Sequence, residues 1–214
     1  MMLNKDLPKK IPIFPLSNFI IFPKTTVPLN IFEPRYIQMV DDSMKGNRYI
    51  GLIQPKKTGD LKKPDLHKIG CVGKITSFNE TEDGRYLIVL NGICRYETIS
   101  EINSGKLYRE CEVNFENFSN DLLKQKEQLK YSDLKQVFKD LKKLFENQGY
   151  QINWKDLENQ SVEQTINTLS MASPFTLEEK QILLETENLA ERKNILEEIL
   201  VTYTNYSFTN KTIQ

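Results

Sequence analysis

The chain has 214 residues, enough to bury one large core or two small ones, and its 39% hydrophobic and 27% charged content excludes a disordered or fibrous protein. Its 29 basic residues balance 29 acidic ones, so no overall field draws it to nucleic acid or to an anionic membrane. No apolar run approaches the roughly 20 residues of a membrane helix, and the N-terminus lacks a signal-peptide pattern. We therefore expect a cytoplasmic protein without a membrane partner.

The first half of the chain has the pattern of β-strands. From Ile11 to about Phe115, short apolar runs and alternating segments are rich in β-branched and aromatic residues. The pair Asp83-Gly84 predicts a hairpin turn, and Gly92 predicts a bulge or bend that helps a sheet to close. A small barrel accounts for these features, with strands predicted at Ile11 to Leu16, Thr26 to Ile31, Tyr49 to Gln54, Lys68 to Asn79, Tyr86 to Ile99 and Leu107 to Phe115.

Two segments of the first half do not fit the strand pattern. Pro34 suits the first turn of a helix, and Gly46 follows the last apolar residue, so one helix is predicted between them. The stretch from Pro55 to Lys68 is polar, flanked by prolines and without apolar periodicity. We predict a surface loop there.

The second half has the period of amphipathic helices. Capping patterns at Ser161, Thr176 and Asn188 predict the starts of three helices. Another helix is predicted upstream, ending before Gly149. Its apolar face consists of Leu134, Val137, Phe138, Leu141, Leu144 and Phe145.

These patterns together predict an α+β protein of two domains. Residues 1–118 are expected to form the β-barrel, and residues 119–206 a C-terminal helical bundle. Residues 207–214 are expected to be a disordered tail.

Six pieces of the sequence, taken in order, carry a family resemblance. They are Pro15-Leu16 with Phe22-Pro23, Pro28-Leu29 with Ile31 to Tyr36, Leu66 to Gly73, Asp83 to Tyr86, Asn91 to Tyr96, and the C-terminal set Ser173 to Phe175, Glu179 to Gln181, Leu183 to Glu185 and Leu189 to Arg192. These pieces resemble the N-terminal domain of the Lon protease family. The resemblance covers about Ile11 to Tyr203 and implies a PUA-like β-barrel (pseudobarrel) followed by a helical bundle. In full-length Lon this region is associated with substrate recognition and assembly, so a non-catalytic module is implied here, since the chain ends before an ATPase or protease domain could begin.

Residues for catalysis are not arranged in any recognisable pattern. The segment Gly70 to Ile75 approaches a phosphate-binding loop but has the wrong spacing. His67 is the single histidine, and the three cysteines stand apart from one another, which favours buried free thiols over a metal site. We expect no cofactor, no metal and no enzyme activity.

The first functional hypothesis is a proteostasis-related module that binds an unfolded or partner polypeptide. The run Phe19 to Phe22 is either core or an exposed apolar groove, so the candidate peptide surface is Ile20, Phe22, Pro23 and Phe32. A candidate polar corner consists of Glu33, Arg35 and Tyr36. These three residues either present a carboxylate and a guanidinium to a ligand or tie the helix to neighbouring backbone.

The alternative hypothesis is RNA binding through a lysine-rich loop. It rests on the PUA-like fold and on Lys56, Lys57, Lys62, Lys63 and Lys68. A lysine loop of this kind is more often only solvated, and no aromatic side chain interleaves it. Assembly into a homo-oligomer is left open, and a hydrolase with an unrecognised site ranks last.

Overall fold

The computed structural model describes residues 7–60, 63–123, 129–149 and 153–209, without the side chains of residues 59, 60, 158 and 204–209. The chain divides into two compact units, Met1–Lys124 and Gln125–Gln214. The boundary predicted after residue 118 lies within the first unit, because the 3₁₀ segment Glu116–Leu122 packs on the sheet. Each unit is described by itself.

The described part of the first unit has eight strands and one α-helix. In chain order these elements are β1 (Lys10–Pro15), β2 (Thr26–Ile31), α1 (Pro34–Lys45), β3 (Tyr49–Ile53), β4 (Pro55–Asp60), β5 (Lys63–Leu66), β6 (Ile69–Glu80), β7 (Tyr86–Ile102) and β8 (Arg109–Asn114). The longest strand, β7, pairs with strands on both sides, so β7, β6, β3, β1 and β8 form a closed ring, with β2 attached to β7 outside it. Among the described strands only β1 and β3 run parallel. The closed ring confirms the predicted barrel.

Gly92 marks a corner of the barrel. The register of β6 and β7 shifts there, leaving Ile93 as an extra residue, so the predicted bulge is confirmed. A Cβ atom at Gly92 would lie 2.1 Å from the carbonyl oxygen of Phe22. The Gly92 N–H donates to the Thr25 carbonyl and its carbonyl accepts from the Lys24 N–H, both at 2.8 Å. Glycine is therefore required for the segment before β2 to dock on the barrel.

Helix α1 has the predicted bounds. Pro34 is at its first turn and Gly46 follows its last residue. The helix buries Tyr36, Met39 and Val40 against the barrel unit. The Tyr36 ring lies 4.3 Å, between centroids, from the ring of Phe14 on β1.

The predicted loop from Pro55 to Lys68 is wrong, because the structure has a two-stranded hairpin there. Strands β4 and β5 pair antiparallel, and the Thr58 hydroxyl donates to an Asp65 carboxylate oxygen across them at 3.2 Å. Most of the described side chains of this ribbon are exposed or half-buried. A ribbon with no buried face needs no alternating apolar residues, so periodicity gave no signal.

A buried ion pair joins the barrel to the 3₁₀ segment that follows β8. The Arg95 guanidinium donates two hydrogen bonds of 2.9 Å to the Asp121 carboxylate, and the Arg95 backbone N–H donates a third at 3.0 Å. The guanidinium also lies 4.3 Å from the ring centroid of Phe118. Asp121 lies beyond the last strand, so the pair ties the segment after β8 to β7.

The described part of the second unit is helical. The predicted caps are confirmed at Ser161, Thr176 and Asn188, whose side-chain oxygens each accept a backbone N–H three residues on. Of the tail predicted for residues 207–214, the first three residues belong to the last helix, and residues 210–214 lie outside the described residues. The helices are α2 (Lys135–Asn147), α3 (Trp154–Glu158), α4 (Val162–Ala172), α5 (Leu177–Glu185) and α6 (Leu189–Thr209), and the 3₁₀ turn Tyr131–Leu134 precedes α2.

Candidate functional site

The predicted peptide surface is divided by the fold. Ile20, Phe22 and Pro23 are buried, whereas the side chain of Phe32 is 64% exposed. The segment carrying the three buried residues folds onto the barrel, where the Thr25 hydroxyl donates to the Phe22 carbonyl at 2.7 Å. The prediction that these three residues form an exposed surface is therefore wrong, and the alternative that they are core is the one observed.

Phe32 lines a groove in the first unit with a volume of about 660 Å³. Residues 14–19 form part of its lining and residues 27–33, 35 and 36 the rest, and we call it the Phe32 groove. The size is that of a site for a few side chains. Its apolar lining includes Phe14, Leu16, Phe19, Leu29, Phe32 and Tyr36.

Sequence reasoning missed part of this lining. Phe19, half-buried, and Leu29 were not among the candidates, although both lie in segments that were considered. Only Phe32 of the predicted apolar set lines the groove, together with the predicted polar residues. The alternation of β2 could have indicated Leu29, since strand neighbours two residues apart share a face.

The two charged residues of the polar corner pair with each other. Arg35 donates from Nε and Nη2 to one oxygen of Glu33 at 2.9 and 2.8 Å, and both side chains are nearly half exposed. The Glu33 side chain makes no capping bond to α1, although its carbonyl accepts the N–H groups of Tyr36 and Ile37 at 2.9 Å. The guanidinium lies 4.5 Å from the Tyr36 ring centroid. An exposed pair of this kind is weak enough for a ligand to open.

Tyr36 itself is a structural residue. Its side chain is buried, and burial raises the pKa of its hydroxyl above the ordinary value. The phenol therefore stays neutral and contributes a ring face to the groove wall. We expect no proton transfer from it.

Strand β2 borders the groove and is an edge strand. Among the described strands it pairs with β7 alone. The Gly92 N–H donates to the Thr25 carbonyl, so the backbone of Thr25 faces β7. Along an antiparallel strand, residues that bond to the neighbouring strand alternate with residues whose backbone groups face away from it. The backbone groups of Thr26, Pro28 and Asn30 therefore point away from β7. Pro28 has no N–H to offer, which suits a proline in an edge strand. An extended chain can therefore hydrogen-bond to the outer side of β2 near the two ends of the strand, at Thr26 and Asn30.

The five lysines of the alternative site do not form one uncompensated surface. Lys63 pairs with Glu101 at 3.0 Å, and Lys68 pairs with Glu97. Lys62 lies outside the described residues. The remaining two, Lys56 and Lys57, are exposed on β4.

The three cysteines are buried in the first unit. All three are unbridged. Burial raises the pKa of the Cys111 thiol to about 11, and burial beside the Asp121 carboxylate raises that of Cys94 still further from its ordinary value. Within the described ranges, no cluster of three or more His, Cys, Asp and Glu residues could hold a metal ion. Nor does any described helix have the length and apolar character to cross a membrane.

The chain is similar to Lon proteases over most of its length. It is 29% identical over 201 residues to the Lon protease of Flavobacterium johnsoniae and 27% identical over 185 residues to Lon protease 1 of Bdellovibrio bacteriovorus. These matches cover 88% and 85% of this chain but 23% of each relative. The chain thus spans about a quarter of the length of the curated relatives that it matches.

Solved structures agree with the fold. The N-terminal domain of a Mycobacterium avium complex Lon protease matches with a TM-score of 0.65 at 16% identity, covering 90% of this chain and 98% of that one. A Lon N-terminal domain protein from Xanthomonas campestris matches with a TM-score of 0.62 at 19% identity, covering 90% and 97%. The family model of the ATP-dependent protease La (LON) substrate-binding domain matches residues 10–202. The chain therefore belongs to the family of Lon substrate-binding domains.

Proposed function

We propose that this chain is a non-catalytic Lon-type module that holds an exposed polypeptide segment, of an unfolded protein or a partner, in the Phe32 groove. One observation carries the proposal: Phe32, 64% exposed, lies on a mainly apolar groove of about 660 Å³ beside an edge strand. Large exposed aromatic residues at concave apolar surfaces are typical binding anchors. The family's description as a substrate-binding domain supports the same conclusion.

The binding would combine side-chain burial with backbone pairing. An apolar side chain of the ligand enters between Phe19 and Phe32 and is removed from water there. The ligand backbone bonds to the outward groups of Thr26 and Asn30 on β2, a mode that does not depend on ligand sequence. The weak Glu33–Arg35 pair can open to meet a charged ligand group.

Four other expectations concern catalysis, cellular location, oligomeric state and RNA binding. The absence of catalysis is part of this proposal, which the raised thiol pKa values and the family support. The cytoplasmic location and a homo-oligomeric state stay predictions. RNA binding through the hairpin lysines gains no support from the ion pairs of Lys63 and Lys68 or from the relatives, and it is not proposed.

The test compares Phe32→Ser with Leu107→Ser, a control at a side chain that is also 64% exposed but lies outside the groove. The probe is ribonuclease A kept unfolded by reduction and alkylation of its cysteines, and binding is followed by fluorescence anisotropy. We expect Phe32→Ser to weaken binding about tenfold or more, because it removes an anchor, and Leu107→Ser to leave it unchanged. Binding should persist in moderate salt, since burial of apolar surface is not screened. Equal affinities of the two variants would refute the groove as the site.

A further inference from the structure

The helical unit contains a second concavity, unrelated to the Phe32 groove. It has a volume of about 540 Å³ and lies beside α2. We call it the α2 pocket. Its lining consists of Tyr131, Lys135, Phe138, Lys139, Lys142 and Trp154.

The aromatic walls of the α2 pocket are held in place from behind. Trp154 packs edge-on against Phe138 and Phe145, with ring centroids 6.0 and 6.1 Å apart, and Phe145 is buried. The Tyr131 hydroxyl donates to the backbone carbonyl of Gln160. Even so, Tyr131, Phe138 and Trp154 each remain only half-buried. Fixed rings with uncovered faces are suited to receive an apolar or aromatic group.

Three lysines line the same pocket from one side of α2. Lys135, Lys139 and Lys142 are spaced four and three residues apart, so they fall on one helical face over a length of about 10 Å. All three side chains are exposed. Within the part of the chain that the structure describes, none of them has a carboxylate within ion-pair distance, whereas Lys193 in the same unit pairs with Glu197 at 2.8 Å.

The charge of this unit is segregated along the chain. Residues 130–155 contain six lysines and three acidic residues, whereas residues 156–198 contain ten acidic residues and three basic ones. The lysines at the α2 pocket are thus a local concentration of positive charge in an otherwise acidic unit. Such a patch attracts a short anionic group and disfavours a long polyanion, which would also meet the acidic helices.

We propose that the α2 pocket binds a short acidic polypeptide segment that carries one aromatic or large apolar side chain. That side chain packs on the uncovered faces of Phe138 and Trp154, and flanking carboxylates pair with the three lysines. In an extended peptide, carboxylates two residues apart are separated by about 7 Å, close to the rise of about 6 Å between Lys135 and Lys139. The site is distinct from the Phe32 groove and does not depend on the function proposed for it.

Trp154 provides a local readout, because it is the only tryptophan of the chain. The full chain is titrated with a synthetic peptide that has one phenylalanine between two pairs of glutamates, and Trp154 fluorescence is recorded. We expect a saturable change that weakens as salt is added. The same peptide with glutamines for glutamates should bind at least about tenfold more weakly.

Lys139→Glu is compared with Lys155→Glu, which makes the same charge change at an exposed residue outside the pocket lining. We expect Lys139→Glu to reduce peptide affinity about tenfold or more, and Lys155→Glu to reduce it by less than about threefold. Phe32→Ser should leave the tryptophan response intact, so that failure at one site is distinguishable from failure at the other.

Three results would overturn the proposal. The first is an equal loss of affinity in both lysine variants, which would indicate general electrostatic attraction. The second is peptide binding without a change in Trp154 fluorescence. The third is a fluorescence change with a single-stranded oligouridylate at lower concentration than with the acidic peptide, which would make the pocket a nucleic-acid site.

Discussion

The buried ion pair of the barrel unit and the helix caps of the helical unit differ in range along the chain. In the barrel, Arg95 is neutralised by Asp121, and the segment that carries Phe22 docks on Gly92. In the helical unit, each confirmed cap joins residues only three apart, as Thr176 and Glu179 do. A substitution in the barrel should therefore disturb distant strands, while a lost cap should affect one helix end.

Their concave surfaces differ in charge as well. The cation of the Phe32 groove, Arg35, is already paired with Glu33, so apolar surface is what that groove offers. The α2 pocket has aromatic walls too, but its lysines lack ion-pair partners among the described residues. Two sites of similar volume in one chain can thus select ligands of different charge.

The largest expected effect tests the long-range contacts of the barrel. Asp121→Ala removes the carboxylate that pairs with the buried Arg95 guanidinium, and we expect the free energy of unfolding to fall by about 3–5 kcal/mol. Unfolding by urea, followed by a signal from the barrel unit, measures this free energy. The double variant Arg95→Met with Asp121→Leu should recover most of the loss, because it removes both buried charges. A loss below about 1 kcal/mol in the single variant would show that the pair is not buried in solution.

A smaller loss of stability is expected at Gly92, where two backbone segments approach closely. Gly92→Ala places a methyl group 2.1 Å from the Phe22 carbonyl oxygen, and we expect a loss of about 2–3 kcal/mol. Gly73→Ala is the matched control, because its added methyl group would meet neighbours only at ordinary contact distances of 3.5 Å or more. Thermal unfolding of both variants measures the difference. Equal stability of the two would contradict the close approach at Gly92.

The smallest effect tests the local contacts of the helical unit. Thr176→Ala removes the hydroxyl that accepts the Glu179 N–H at 3.2 Å, and we expect a loss of about 1 kcal/mol. Thr176→Ser keeps the hydroxyl and serves as the control. Helical circular dichroism during urea unfolding reports the change. If Thr176→Ala also shifted the barrel transition by the same amount, the two units would unfold as one, and the contrast between them would fail.

The same difference in range explains which parts of the fold were predictable. The Asp83-Gly84 turn, with Gly84 at φ +77°, and the helix caps depend on neighbouring residues, so short patterns predict them. The partner of Arg95 lies 26 residues away, and no local pattern identifies it. The β4–β5 hairpin was missed for another reason: an exposed ribbon lacks the apolar alternation by which strands are recognised.

The candidate site was predictable only in part. Phe22 and Phe32 each follow an isoleucine in a largely apolar segment, yet one is core and the other is mostly exposed. Phe22 lies in the segment that docks on Gly92, a tertiary contact that no local pattern identifies. The α2 pocket was missed because Phe138 was assigned to the apolar face of a helix, and Tyr131 and Trp154 join it from the preceding 3₁₀ turn and from a separate helix.

Pro28 protects the outer edge of β2 against the addition of further chains. An unprotected edge strand near an apolar groove is a template on which identical chains can add one after another into fibrils. With no N–H at its centre, β2 interrupts such a ladder after a single short pairing. A protein that meets unfolded chains would thereby engage one segment at a time without seeding their aggregation or its own.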